Sequence, residues 1–125
     1  EGLWWSDNPD AFLTGARHDW KWTLMIAQPD FITEEHMREA SIDLKRKKNP
    51  PALELVRFTP YDEGLSAQIM HIGPFSTEGP VIARIHAYIA ENGRSLRGFH
   101  HEIYLSDFRR TAPEKLRTIL RQPMT

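Results

Sequence analysis

The sequence predicts an α+β fold in which an antiparallel sheet carries helices on one face. Three observations lead there. Segments such as 20–26, 65–72 and 99–105 alternate apolar and polar residues with the two-residue period of strands. Two stretches, starting near Thr33 and Thr77, repeat apolar residues at helical spacing between recognisable start and stop signals. The second half then reads as strand, helix, strand, strand, an order that packs helices against one side of an antiparallel sheet. All 125 residues are read as one domain, long enough to bury a core.

The elements follow in chain order. Residues 2–5 read as a short strand, followed by a loop through Asp7, Asn8, Pro9 and Asp10. In the strand at 20–26, Trp20, Trp22, Leu24 and Ile26 share one face, and Pro29 follows it. Thr33 is an expected N-cap, with Glu34 and Glu35 in the first turn where the helix dipole favours anions. Met37, Ala40 and Leu44 continue the inner face of that helix, and Pro50-Pro51 stops it. Strands are expected at 53–61 and 65–72, joined by a turn at Asp62-Glu63-Gly64. A helix with Pro80 in its first turn carries Val81, Ile82, Ile85 and Ile89 as its apolar stripe, and Asn92-Gly93 ends it. Strands at 99–105 and 116–121 close the chain around a polar loop.

Composition narrows the function classes. Hydrophobic residues at 40% and charged residues at 26% are ordinary for a globular protein. Sixteen Lys and Arg against seventeen Asp and Glu leave a formal charge of -1, so no basic field exists to hold a phosphate backbone, and nucleic acid is not an expected partner. The run Lys45 to Lys48 fits the C-terminal end of a helix, where cations are favoured. The absence of cysteine excludes disulfides, thiolate metal sites and thiol nucleophiles. No apolar stretch approaches the roughly 20 residues of a membrane helix, and a cytoplasmic protein is expected. The opening Glu-Gly-Leu-Trp-Trp, without Met, reads as a start inside a longer fold.

Candidate chemistry concentrates on the strand at 99–105. Alternation puts His100, Glu102 and Tyr104 on one face and His101, Ile103 and Leu105 on the other. The apolar pair Ile103 and Leu105 points the second set toward the helices, leaving Glu102 on the open face. A carboxylate among aromatic rings can hold a cationic or polar group of a flat ligand, and when desolvated it can act as a general acid or base. The plainer alternative is an exposed strand glutamate with cross-strand ion pairs. Trp4, Trp5, Trp20 and Trp22 crowd the first 22 residues, and one ring of each pair, Trp5 and Trp22, is expected at a pocket. No zinc site is expected, because His100 and His101 point to opposite faces and no HExxH spacing occurs. Nucleotide and serine-hydrolase motifs are lacking, and no cofactor is expected.

The segment LSAQIMHIGPF at 65–75, with EGP at 78–80, resembles the GyrI-like small-molecule-binding family. HHEIYLSD at 100–107 and RRTAPEKL at 109–116 resemble its closing segment. EGLWW at 1–5 and WKWTLMI at 20–26 are similar to its stand-alone branch, which has no DNA-binding domain. The resemblance implies a duplicated strand-helix-strand-strand fold around an aromatic cleft, with the first strand and helix of the first half missing from this sequence. That edge is expected to pair with the missing segment or with a second copy of the chain. The resemblance also implies an aromatic small-molecule ligand, with Glu102 as the acidic pocket residue, Tyr104 as its catalytic neighbour, and His71, Phe75 and His100 among the ligand-binding residues with Trp5 and Trp22. Some stand-alone members hydrolyse the cyclopropane of DNA-alkylating compounds, while others sequester ligands or inhibit gyrase. An enzyme and a non-catalytic binding or regulatory module therefore remain as two readings of one pocket.

Overall fold

Strand pairing organises the larger part of the chain. The computed structural model describes residues 1–8 and 17–125, so Pro9 and Asp10 of the expected loop lie outside the described residues. Among them run β1 (Gly2–Trp5), β2 (Lys21–Leu24), α1 (Glu34–Lys47), β3 (Ser66–Ile72), α2 (Gly79–Glu91), β4 (His100–Tyr104) and β5 (Arg117–Pro123). The five strands form a single open sheet in the order β2-β1-β4-β5-β3, with every neighbouring pair antiparallel. The protein is thus α+β, with an antiparallel sheet and helices.

The chain divides into two compact units: Glu1–Ile26 with Glu63–Thr125, and Ala27–Asp62. The first contains the sheet and α2. Its core joins Ile85 and Ile89 of α2 to Ala67, Leu120 and Met124, with Ile69, Val81 and Ile82 packed around them. Helical spacing puts the α2 stripe on one side, and alternation puts Ala67, Ile69 and Leu120 on the facing side of β3 and β5. Fully burying each such aliphatic contributes about 1.5–3 kcal/mol.

The second unit holds α1 and a short 3₁₀ turn at Pro51–Leu55. Thr33 caps α1 as expected. Its hydroxyl accepts from the His36 backbone N–H, and the Thr33 backbone N–H donates to His36 Nδ1. No α1 residue is buried, so the inner face expected from Met37, Ala40 and Leu44 packs no core. The strand expected at 53–61 is also absent. Pro50 and Pro51 start a 3₁₀ turn, and residues 56–61 belong to none of the five strands. Pro60 offers no ladder N–H in that stretch. The expected hairpin at 62–64 falls with it.

Candidate functional site: an aromatic cleft with buried carboxylates

Cross-strand register decides which side chains meet. Ile69 lies opposite Leu120, Leu120 opposite Glu102, Glu102 opposite Gly2, and Gly2 opposite Leu24. Directly paired residues project to the same side of a sheet. Glu102 therefore shares a face with the α2-packed core, which corrects the expectation that it points away from the helices. The physical reason is coverage. Among the described residues helix α2 makes its main contacts with β3 and β5, and it leaves the same face toward β1 and β2 largely uncovered.

That uncovered area is a cleft of about 870 Å³, within the usual range for ligand sites. Trp4, Trp20, Trp22 and Leu24 line it from the β1–β2 side, and Phe75 and Glu78 from the start of α2. Glu102 and Tyr104 supply β4, and residues 105–109 complete the wall. The rings touch one another as well as the space: Trp4 and Trp20 meet edge to face at 5.9 Å, and Phe75 and Tyr104 at 5.8 Å.

Polar chemistry centres on Tyr104. The Trp4 indole Nε1–H donates to its hydroxyl at 3.0 Å, and the hydroxyl donates to Glu102 Oε2 at 2.8 Å. An indole nitrogen is only a donor, so this contact turns the phenolic proton toward the carboxylate. Gly2 makes the arrangement possible, because a Cβ there would stand 2.8 Å from Trp4 Nε1 and 2.9 Å from Tyr104 Oη. On its other side, Glu102 Oε1 lies 3.4 Å from His100 Nε2, and both side chains are buried. Burial pushes the Tyr104 hydroxyl well above its ordinary pKa. The charge of Glu102, its hydrogen bond and the charge of Glu78 add to the rise, while the Trp4 bond opposes it. Tyr104 is consequently a neutral donor across the neutral pH range. At the rim, Arg109 grips Asp107 with two 3.0 Å bonds and holds that carboxyl below its ordinary value.

Of the residues named from sequence, Trp22, Phe75, Glu102 and Tyr104 line the cleft together. Three others stand elsewhere. Trp5 alternates onto the opposite face of β1, where its ring stacks on Phe99 at 4.5 Å. His71 is buried on β3, its Nε2 lying 3.2 Å from the Pro74 carbonyl and 3.3 Å from the Thr77 hydroxyl, where it fastens the turn into α2. His100 stands beside Glu102 without lining the space. Trp4, Trp20 and Glu78 line the cleft and were missed. For Trp4 the missing information was register: alternation separates it from Trp5 but does not say which of the two faces Glu102. Glu78 carried one signal, an acidic residue at a helix start, where anions are stabilised.

A five-stranded α+β sheet with an aromatic, acid-floored cleft beside one helix defines a small-molecule-binding domain. The model of the GyrI-like small molecule binding domain matches residues 2–123, and the chain belongs to that family. Among solved structures it is similar to an uncharacterized conserved protein from Listeria innocua, with 40% identity, a TM-score of 0.87 and coverage of 99% of this chain and 62% of that one. Two crystal structures described as hydrolases from Listeria innocua match at 38% and 36% identity, each with a TM-score of 0.81. They cover 99% of this chain and 60% and 62% of theirs. The chain thus spans about six tenths of the length of these solved relatives. Comparison with curated proteins gives no match. No helix among the described residues is long and apolar enough to cross a membrane.

Proposed function

We propose that the cleft binds flat amphipathic or cationic aromatic molecules, and that Glu102 activates water there to hydrolyse electrophilic cyclopropanoid compounds of the DNA-alkylating kind. The observation that carries this reading is a buried carboxylate, 6% exposed, held by Tyr104 inside a wall of aromatic rings. The rings supply stacking surface, and a cation gains from both the ring faces and the carboxylate. The description of two similar Listeria innocua proteins as hydrolases supports the catalytic half.

The reaction needs only water. Glu102 accepts a proton from it as the oxygen bonds to a cyclopropane carbon. The strained C–C bond breaks, and its electron pair passes into the ligand's conjugated carbonyl, which takes up a proton. Tyr104, kept neutral, fixes the Glu102 carboxylate in place. This chemistry calls for no cofactor.

A binding-only role draws on a different observation. Trp22 and Phe108 at the cleft are 59% and 66% exposed, so flat ligands can be collected without any reaction. One experiment separates the two readings. The protein is incubated with a cyclopropane-bearing alkylator, the product is identified by mass spectrometry, and tryptophan emission is followed in parallel. Hydrolysis predicts a water adduct formed by the wild type and not by Glu102→Gln. Quenching with the compound unchanged leaves binding alone, and neither quenching nor product sinks both.

A further inference from the structure

The cleft wall sets one fixed cation against its acids. Among the described residues that line it, Arg109 is the only Lys or Arg, and it stands at the rim while Glu102 and Tyr104 form the floor. Local geometry fixes it there. Asp107 accepts from the Arg109 backbone N–H, Nε–H and Nη2–H, each at 3.0 Å. The Asp107 carbonyl accepts in turn from the Arg110 and Thr111 N–H groups at 3.0 and 2.9 Å, which closes the turn. Two bonds tie this segment to β5. The Leu105 N–H donates to the Arg117 carbonyl at 3.0 Å, and Ser106 Oγ accepts from the Arg117 N–H at 3.1 Å. A planar fork held along one edge by a carboxylate is oriented before any ligand arrives, and it keeps its proton at every working pH. Asp107 engages two of the five N–H groups of the fork, and the side chain is still 75% exposed.

We infer that Arg109 holds the carbonyl oxygen of the ligand, which suits the cleft to flat molecules whose electrophilic ring is conjugated to an acceptor oxygen. This rests on the hydrolytic reading above and goes further in naming the group that receives the charge released by ring opening. Water bonds to the cyclopropane carbon and gives its proton to Glu102. The C–C bond breaks, and its electron pair comes to rest on the carbonyl oxygen. That phenolate or enolate oxygen accepts from Arg109 until it takes a proton from solvent at the open rim, and Glu102 returns its own proton to solvent. Substrate and water together make the hydrated product. The Tyr104 hydroxyl is turned to Glu102 and serves the other end of the reaction. Donors aimed where negative charge develops lower the barrier, because they act more strongly on the transition state than on the bound substrate.

Umbelliferone, a flat fluorescent dye whose phenol and phenolate have distinct excitation spectra, reports on such an oxygen directly. It is titrated with pH while bound to the wild type, Arg109→Gln, Arg109→Lys and the double variant Asp107→Asn/Arg109→Gln. The ionisation constant of the bound phenol should be about tenfold larger in the wild type than in Arg109→Gln. Arg109→Lys should restore part of that gain as a point charge. The double variant should resemble Arg109→Gln, since both lack the donor. A double variant that behaves like the wild type would trace the effect to an unmatched Asp107 charge and overturn the inference. In parallel, Arg109→Gln should open the cyclopropane of a saturating alkylator about tenfold or more slowly. Equal ionisation in wild type and Arg109→Gln, or no dye bound by the wild type, would overturn the inference. Product formed by the wild type would still leave the hydrolytic reading standing. A wild type that forms no product would overturn that reading, and the inference with it.

Discussion

Glu102 is the direct cross-strand partner of Leu120, the residue with no exposed surface at the centre of the core. The acid of the cleft and the most buried aliphatic side chain therefore stand next to each other on one face. Helix α2 covers Leu120 through Ile85 and Ile89 and makes its main contacts with β3 and β5. Core and cleft are consecutive parts of one surface, so the rigidity of one is inherited by the other.

Leu120→Ala should consequently affect both. Removing this side chain leaves a cavity under α2 and should cost about 2–5 kcal/mol, read from urea denaturation. Dye affinity should weaken as well, because β4 loses its packed neighbour beside Glu102. A loss below about 1 kcal/mol would mean that the core collapses easily around the gap.

Gly2→Ala tests the close approach over β1. A glycine-to-alanine change at an unstrained strand position commonly stabilises a protein by about 0.4–1 kcal/mol. Here the new methyl would meet Trp4 Nε1 and Tyr104 Oη at under 3 Å and wedge apart the two groups that share a hydrogen bond. The expected sign is therefore reversed, to a loss of about 1–3 kcal/mol, with a shifted indole N–H resonance for Trp4. Unchanged stability and an unmoved resonance would show that the two rings relax without cost.

The contrast between Thr33 and Glu102 shows what the sequence discloses. The Thr33 cap is local chemistry, complete within four residues, and the structure contains it as read. That His100, Glu102 and Tyr104 share a face is equally local, since strands alternate. Which face α2 would cover is not local. Ile103 and Leu105 argued for theirs, but coverage follows from register, and register depends on pairing between residues about a hundred positions apart, such as Gly2 and Glu102. The strand expected at 53–61 failed for a related reason, because alternation alone supplies no partner to pair with. Glu63, read only as a turn residue, instead joins His101 and Arg121 on the opposite side of the sheet.

That Glu63 cluster predicts an acid dependence. Burial works to raise the Glu63 carboxyl, but hydrogen bonds from Arg121 at 2.6 Å and His101 at 3.0 Å overcome it and hold the group below its ordinary value. A depressed carboxyl contributes stability that is present above its unfolded pKa of about 4.3 and is lost as pH falls through the folded value. Glu63→Gln should lower stability at neutral pH by about 1–3 kcal/mol. It should also flatten the decline of stability below pH ~4.5 relative to the wild type. Parallel acid profiles for the two proteins, followed by urea denaturation, would show that Glu63 does not set this slope.

Tyr104 should govern the alkaline side. Its hydroxyl is raised by burial first and then by the neighbouring carboxylates, so the folded protein resists forming the phenolate. A group raised in the folded state contributes stability that is fully present below its unfolded pKa, about 10 for tyrosine, and is lost progressively as pH climbs toward the folded value. Tyr104→Phe removes this titration together with two hydrogen bonds, leaving the Trp4 indole N–H and Glu102 Oε2 without that partner. At pH 8 the variant should be less stable than the wild type by about 1–3 kcal/mol. Above pH ~10 the wild type alone carries the cost of keeping the phenol protonated, so the gap between the two proteins should narrow steadily. Urea denaturation at intervals from pH 8 to pH ~11 measures this directly. A gap that stays constant over that interval would mean that Tyr104 ionises as readily in the folded chain as in the unfolded one, and that the carboxylates of the cleft do not act on its hydroxyl.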